Sequence, residues 1–145
     1  MKDSSVVIYS DGGSRGNPGP GACAYLIFDK DKVLKKDSKF LGRSTNNVAE
    51  YNGALFAIEG LIDLAKVYPD LKKEKIVFKM DSELVVKQLG GFYKIKDKNL
   101  MELSMKIRDL IKVNGLDINF THVPRKENYL ADKMVNEKLD DSSRR

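Results

Sequence analysis

The order of strand-like and helix-like segments is the feature that most constrains the fold of this chain. Three segments with strand character come first, and a long helical pattern then separates them from a fourth apolar strand. A strand, helix and strand succession of this kind makes a crossover whose two strands lie parallel in one sheet. The predicted strands cover residues 6–9, 22–29, 32–41, 75–80 and 116–122. We therefore predict an α/β fold with a five-stranded mixed sheet, three antiparallel strands followed by two parallel additions, and helices on both faces.

Helices are predicted where apolar residues recur at helical spacing. Thr45 and the two asparagines after it are N-cap candidates for the long helix, and Pro69 lies just beyond its end. A short helix that includes Leu84 is stopped by Gly90 and Gly91, and two more helices cover about 99–113 and 127–139. Residues 11–21, rich in Gly, Asn and Pro, predict an ordered loop after the first strand. We expect residues 1–139 to form a single domain and 140–145 a flexible tail.

Composition narrows the class of protein. The chain has 145 residues, 41% hydrophobic and 32% charged, which suits one domain with a real core. It has no apolar run of about 18 residues and no signal-like segment, so we expect a soluble cytoplasmic protein without a membrane partner. One cysteine and one histidine exclude a Cys/His zinc site and an intramolecular disulfide. The net charge of +5 is compatible with a polyanionic partner.

Four carboxylates stand in settings that otherwise favour neutral residues. Asp11 and Asp81 follow apolar strands, and Glu50 and Asp132 flank the inward faces of two helices. If the first and fourth strands are parallel neighbours, Asp11 and Asp81 emerge at one edge of the sheet. Glu50 could instead complement a helix dipole, and Asp132 could be solvated. Converging acids repel unless they bind a cation, and Mg²⁺ prefers such oxygen ligands, so the four acids together predict a metal site.

Four motifs in register surround these acids. The glycine-rich loop is neither a Walker loop nor a dinucleotide fingerprint, because it lacks Gly-Lys-Ser/Thr and is followed by a strand. The motifs are Asp11-Gly-Gly-Ser-Arg-Gly-Asn-Pro-Gly-Pro-Gly21, Thr45-Asn-Asn-Val-Ala-Glu-Tyr51, Met80-Asp-Ser-Glu-Leu-Val85, and His122-Val-Pro-Arg125 with Asn128 and Ala131-Asp132. Together they strongly resemble the ribonuclease H type 1 family, from about residue 6 to residue 139. The resemblance implies a ribonuclease H-like fold and one catalytic domain over residues 1–139.

The same resemblance implies an endoribonuclease that hydrolyses the RNA strand of RNA/DNA hybrids. It implies two Mg²⁺ ions, with Mn²⁺ as a substitute, held by Asp11, Glu50, Asp81 and Asp132 beside the scissile phosphate. One ion would activate the attacking water and the other the leaving 3′ oxygen, which leaves a 5′ phosphate and a 3′ hydroxyl. His122, at the end of the last strand, matches a family histidine that assists proton transfer or product departure.

Substrate contacts follow from the resemblance as well. Gly12, Gly13 and Asn17 would lie along the minor groove of the hybrid near the RNA strand. Asn46 and Asn47 match a groove-contacting pair, for which helix capping is a rival role, and Thr45 and Arg43 would lie near a phosphate of the DNA strand.

The chain departs from the longer family members in two respects. Asn99 comes only 18 positions after Asp81, which leaves no room for their extra helix and basic loop, and the chain has no tryptophan. It resembles instead the short members of archaea and some bacteria. We expect Lys87, Lys94, Lys96 and Arg125 to hold the substrate in place of the missing loop.

Two other functions stay open at the level of sequence. A different nuclease or strand-transfer enzyme of the same superfamily would share the acids but would not need Asn17, Asn46 and Asn47. A nucleic-acid-binding module with a silent site would bind without cleavage. We expect an RNA/DNA hybrid as the partner, leave double-stranded RNA open as a second substrate, and expect a monomer.

Overall fold

A five-stranded mixed sheet forms the centre of the protein in a computed structural model that describes residues 6–143. The strands are β1 (Val6–Ser14), β2 (Gly19–Asp29), β3 (Lys32–Ser44), β4 (Lys75–Met80) and β5 (Asp117–His122). Their order in the sheet is β3-β2-β1-β4-β5. The first three strands pair antiparallel, β4 pairs parallel with β1, and β5 pairs parallel with β4. The predicted mixed sheet is confirmed.

Four helices connect and cover these strands. They are α1 (Asn46–Val67), α2 (Glu83–Leu89), α3 (Lys98–Val113) and α4 (Tyr129–Ser143), with short 3₁₀ turns at Pro69–Lys73 and Arg125–Asn128. Only eight residues, 90–97, join α2 to α3, as predicted for a chain without an inserted basic loop. Within residues 6–143, no helix has the length and apolar character needed to cross a membrane.

The two faces of the sheet carry different helices. Successive side chains of a strand point to opposite faces, so β2 contributes to both sides. Its Tyr25 and Ile27 belong to the main core, which α1 covers, whereas Ala22 and Ala24 pack against Val135 and Leu139 of α4. The alanines are small, which lets α4 lie close to the sheet. The predicted placement of helices on both faces is confirmed.

The loop predicted over residues 11–21 is shorter than expected. β1 continues to Ser14 and β2 begins at Gly19, so the two strands stay paired as far as Ser14 opposite Gly21. The glycines lack side chains but keep their backbone donors and acceptors, and the pairing uses them. Asp11 therefore lies inside β1, opposite Ala24, and not at its end.

The predicted end of the last helix is also wrong. α4 continues through Ser143, so residues 140–143 are helical and the helix ends four residues later than the sequence suggested. The buried Leu139 anchors this turn, and the carboxylate of Asp140 forms an ion pair with Arg15. Arg144 and Arg145, the rest of the predicted tail, lie outside the described residues.

Candidate active site

The parallel register of β1 and β4 places two acids side by side. Tyr9 pairs with Lys79 in this ladder, and Asp11 and Asp81 each follow two residues later. Neighbouring strands lie about 5 Å apart, so residues at the same level are within reach of one another. The predicted meeting of the first and third acids at one edge of the sheet therefore follows from strand order and register.

The position of Glu50 depends on how closely α1 approaches β1. Thr45 caps α1, since its Oγ1 accepts a hydrogen bond from the backbone N–H of Val48 at 3.2 Å. The helix then passes so close to Gly12 that a Cβ atom there would overlap the carbonyl oxygen of Ala49. Glycine at this position is what permits the contact. As a consequence, Glu50, in the second turn of α1, lies next to Asp11.

The three acids form a compact cluster. Ligand oxygens of Asp11, Glu50 and Asp81 lie within 4.8 Å of one another, with the first two side chains buried and the third half-buried. Burial raises the pKa of Asp11 to about 7; its contact with Glu50 lowers that pKa, and the charges of Asp81 and Asp132 raise it. Burial, with the charges of Asp11 and Asp81, raises the pKa of Glu50 well above its ordinary value. Burial also raises the pKa of Asp81, against the nearby side chain of Asn128 and the charge of Arg125, which lower it.

A buried carboxylate oxygen of Glu50 indicates which kind of ion the cluster would bind. Oε2 of Glu50 is buried and has no hydrogen-bond partner within residues 6–143. A buried carboxylate oxygen without a donor is costly, and carboxylates held this close repel when ionised. A divalent cation relieves both costs because it is a hard ion with a preference for oxygen ligands. The donor set therefore fits a magnesium- or manganese-type ion.

Asp132 lies at the edge of the cluster. Its side chain is 31% exposed and forms an ion pair with Arg125 at 3.5 Å. It lines the same cavity as the three acids, and its charge contributes to raising the pKa values of Asp11 and Asp81, but it does not belong to the group within 4.8 Å. The structure thus brings the fourth predicted acid close to the other three without placing it among them.

The predicted histidine stands on the neighbouring strand. His122 is the last residue of β5 and pairs with Met80, the residue before Asp81. Its side chain is exposed. It therefore lies next to the strand that carries Asp81, but it does not line the acid cavity, whose volume is about 410 Å³.

Asparagine side chains connect the glycine-rich turn to the start of α1. Oδ1 of Asn17 accepts from the backbone N–H of Asn46, and Oδ1 of Asn46 accepts from the backbone N–H of Ser14, both at 3.0 Å. Thr45, and neither asparagine, supplies the helix cap. Asn46 lines both the acid cavity and a second cavity. The second cavity is lined by Asn17, Thr45, Asn46, Asn47, Val48, Asp97 and Leu100.

The remaining predicted contact residues are more dispersed. Gly12, Gly13 and Arg125 line the acid cavity, whereas Arg43 lines a separate shallow depression beside Phe40. Lys94 and Lys96 are exposed on the segment between α2 and α3 and line none of these three cavities. Lys87, also predicted, lies with its Nζ over the ring of Phe92.

Six residues that line the acid cavity were not among the predicted site residues: Ser14, Arg15, Ser82, Val135, Asn136 and Leu139. Arg15 and Asn136 line the acid cavity, and a guanidinium nitrogen of Arg15 donates to the backbone oxygen of Asn136 at 3.3 Å. The two residues are 121 positions apart, and neither belongs to a pattern that would signal the contact. Only the packing of α4 beside the β1–β2 turn brings them together.

Comparison with known proteins agrees with this arrangement. A family model described as reverse transcriptase-like matches residues 9–138. A bifunctional protein of Mycobacterium tuberculosis is 40% identical over 93% of this chain, and a ribonuclease HI of Halobacterium salinarum is 38% identical over 94%. The chain covers 35% of the first relative and 65% of the second, so it spans less than two thirds of either one's length.

Solved structures of similar proteins match the fold of this chain over nearly its whole length. LC11-RNase H1, isolated from compost, has a TM-score of 0.86 at 39% identity, with 97% of this chain and 99% of that one covered. The same protein solved in complex with an RNA/DNA hybrid has a TM-score of 0.85, with 94% and 98% covered. Sequence motifs, sheet order and these matches agree: the chain belongs to the reverse transcriptase-like family and, within it, to the type 1 ribonucleases H.

Proposed function

We propose that this chain is an endoribonuclease that hydrolyses the RNA strand of RNA/DNA hybrids. The observation that carries the proposal is the cluster of Asp11, Glu50 and Asp81 within 4.8 Å, in a cavity that shares Asn46 with an asparagine-lined one. The presence of an RNA/DNA hybrid in the complex of the similar LC11-RNase H1 supports the same substrate.

The acids would hold two divalent ions, Mg²⁺ or Mn²⁺ in its place. Asp11, Glu50 and Asp81 supply the clustered oxygens, and Asp132 at the cavity edge would complete the set. Bound there, such ions supply an activated water molecule and neutralise charge that develops on the scissile phosphate. Asp11 and Glu50 must lose their protons to serve as ligands. Because their pKa values are raised, binding of the cation would release protons from them.

The proton and product steps would use other groups of the chain. His122, one strand away from Asp81, would assist proton transfer or product departure. None of the carboxylates acts as a nucleophile in this scheme, so no covalent intermediate forms. Attack by water on the phosphorus would leave a 5′ phosphate on one product and a 3′ hydroxyl on the other.

The asparagine-lined cavity provides a physical basis for recognising RNA. The Oδ1 atoms of Asn17 and Asn46 already accept hydrogen bonds from the protein, which fixes both amide groups. Their Nδ2 groups donate to no acceptor within residues 6–143 and are therefore available to a 2′-hydroxyl oxygen, the group that distinguishes RNA from DNA. Asn47 lines the same cavity, and the backbone of Gly13 would lie along the groove with them.

Phosphate contacts would come from outside the acid cluster. The hydroxyl of Thr45 accepts from the backbone of α1 through its oxygen, which leaves its hydrogen to donate to a phosphate of the DNA strand beside Arg43. Arg125 at the acid cavity, with Lys94 and Lys96 on the exposed segment, would hold the rest of the hybrid.

A cleavage assay tests the proposal directly. Labelled RNA/DNA hybrid, RNA/RNA, DNA/DNA and single-stranded RNA are each incubated with Mg²⁺, Mn²⁺ or EDTA. We expect internal cleavage of the RNA strand of the hybrid with either metal and none with EDTA. Cleavage of DNA/DNA at a comparable rate would indicate a different nuclease of the superfamily, and binding without cleavage a silent module. The RNA/RNA arm decides whether double-stranded RNA is a second substrate, and size-exclusion chromatography tests the expected monomer.

A further inference from the structure

Arg15 forms a bridge between the glycine-rich turn and the last helix. It follows Ser14, the end of β1, and its backbone N–H donates to the carbonyl of Pro20 at 2.9 Å across the turn. Its guanidinium reaches α4, where one nitrogen lies 2.6 Å from Oδ1 of Asp140 and also donates to the backbone of Asn136. Arg15 is therefore held at its backbone by Pro20 and at its guanidinium by Asp140 and Asn136.

This guanidinium lies at the mouth of the acid cavity. Arg15 lines that cavity together with Asp11 and Glu50, and its side chain is 44% exposed. Asp140, its partner, is 52% exposed and does not line the cavity. Arg15 thus lines the cavity that holds the acids, whereas its partner Asp140 does not.

The charges around the cavity explain why a positively charged side chain would help to bind a phosphate there. Four carboxylates line the cavity and repel an approaching phosphodiester, and among residues 6–143 the only arginines lining it are Arg15 and Arg125. Arg125 is paired with Asp132, one of these four acids. Arg15 is paired with an acid outside the set, and a guanidinium has five N–H donors, so its contacts with Asp140 and Asn136 leave donors for a phosphate.

A purely structural role for the bridge is the competing explanation. However, α4 is already attached by apolar packing of Val135 and Leu139 on Ala22 and Ala24. An ion pair between two half-exposed side chains adds little to such an attachment. The position of Arg15 at the cavity mouth is therefore better accounted for by a ligand.

We propose that Arg15 binds a backbone phosphate of the hybrid, and that Asp140 acts as a positioning residue that holds the guanidinium at the cavity mouth. The proposal rests on the proposed function and adds to it a substrate contact formed by Arg15 after β1 and supported by Asp140 in α4. Helix α4 would then contribute to substrate binding through Asp140 in addition to supplying Asp132 to the metal site.

Steady-state kinetics on a labelled hybrid test the proposal. Four variants are compared with the wild type: Arg15→Gln, Arg15→Lys, Asp140→Asn and Lys66→Gln. The last is a matched control, because Lys66 pairs with Asp63 in an exposed ion pair on α1 and lines none of the cavities described above. It removes the same charge from another part of the surface.

We expect Arg15→Gln to raise KM about five- to tenfold with kcat changed by no more than about twofold, since charge-assisted contacts to phosphate are lost. The slope of log(kcat/KM) against log[salt] should become shallower by about one. Arg15→Lys keeps the charge and Asp140→Asn keeps the guanidinium, so each should raise KM about two- to threefold. Lys66→Gln should match the wild type.

The outcomes separate the possibilities. If wild type cleaves the hybrid but Arg15→Gln equals Lys66→Gln in KM and salt slope, the Arg15 contact is wrong while the proposed function stands. If wild type cleaves no hybrid, the proposed function fails first. An Asp140→Asn variant with a KM at or below that of wild type overturns the positioning role. Should Arg15→Gln fail to fold, as judged by thermal melting, Arg15→Lys decides: a wild-type KM would overturn the proposal.

Discussion

Asn128 donates from its Nδ2 to the backbone oxygen of Ser10 at 2.8 Å, across 118 positions of sequence. The side chain is 1% exposed, and Ser10 immediately precedes Asp11. Asn128 also lies close enough to Asp81 to lower that carboxyl's pKa, against the effect of burial. One buried amide therefore joins β1 to the start of α4 and lies beside Asp81, so it is close to three of the segments that carry the acids.

Replacing Asn128 should loosen the acid cluster as well as the fold. We expect Asn128→Ala to lower the free energy of unfolding by about 1–3 kcal/mol, because the carbonyl of Ser10 is left buried without its donor. Metal affinity should fall about tenfold, since Asp81 loses the group that orients it. Chemical denaturation and titration calorimetry with Mn²⁺ measure the two effects. Asn119→Ala, at an exposed position of β5, is the control; equal values for the two variants would contradict this role.

Removing one ligand charge should abolish cleavage without abolishing binding. We expect Asp81→Asn to lower the rate by about a thousandfold or more, because an amide is a poor ligand for Mg²⁺ and several kcal/mol of charge stabilisation are lost. Hybrid binding in EDTA, followed by fluorescence anisotropy, should change by no more than about threefold, because the shape of the side chain is kept. Asp109→Asn, exposed on α3, is the control. Full activity of Asp81→Asn with Mg²⁺ would rule out the metal mechanism.

In the metal-free protein, the contribution of Asp11 to stability should fall as the pH rises from about 4 to about 7. Burial raises the folded-state pKa of Asp11 to about 7 from an ordinary value of 3.8. Between these values the folded protein holds a proton that the unfolded chain has released, so the free energy of unfolding falls with rising pH. Asp11→Asn removes this cost and should exceed wild type by about 2 kcal/mol at pH 8 in EDTA, with no advantage near pH 3.5.

Thermal melts at several pH values, with and without Mg²⁺, measure this dependence. The stabilisation of wild type by Mg²⁺ should grow with pH, because the ion competes with protons for the same oxygens. A difference between Asp11→Asn and wild type that stays constant from pH 3.5 to pH 8 would show that the cluster does not retain protons in the folded state.

The histidine on β5 should affect the rate without being indispensable. We expect His122→Ala to slow turnover about ten- to a hundredfold, in the range of a positioned proton-transfer group. Single-turnover and steady-state rates distinguish its two possible tasks: both fall if His122 moves a proton in the chemical step, and only the steady-state rate falls if it assists product departure. Unchanged rates in both experiments would remove His122 from the mechanism.

Much of the architecture was accessible from local patterns in the sequence. Alternating apolar residues, the N-cap at Thr45 and the helix stop at Gly90 report conformations set by a few neighbouring residues, and the crossover rule then limits the sheet order. The edge shared by Asp11 and Asp81 followed from that order. The motifs around Glu50 and Asp132 indicated the family, and the matches to solved structures confirm it.

Only the tertiary structure decided how far elements extend and which distant groups meet. β1 continues past Asp11 because β2 offers it a partner, and α4 continues past Leu139 because Leu139 packs on the sheet and Asp140 meets Arg15. The position of Glu50 over Asp11 depends on the close approach at Gly12. Contacts of this kind depend on packing between segments more than a hundred residues apart, or on the absence of one Cβ atom. Local sequence sets the conformation of each segment, but the distance between two side chains on different segments is set by how those segments pack.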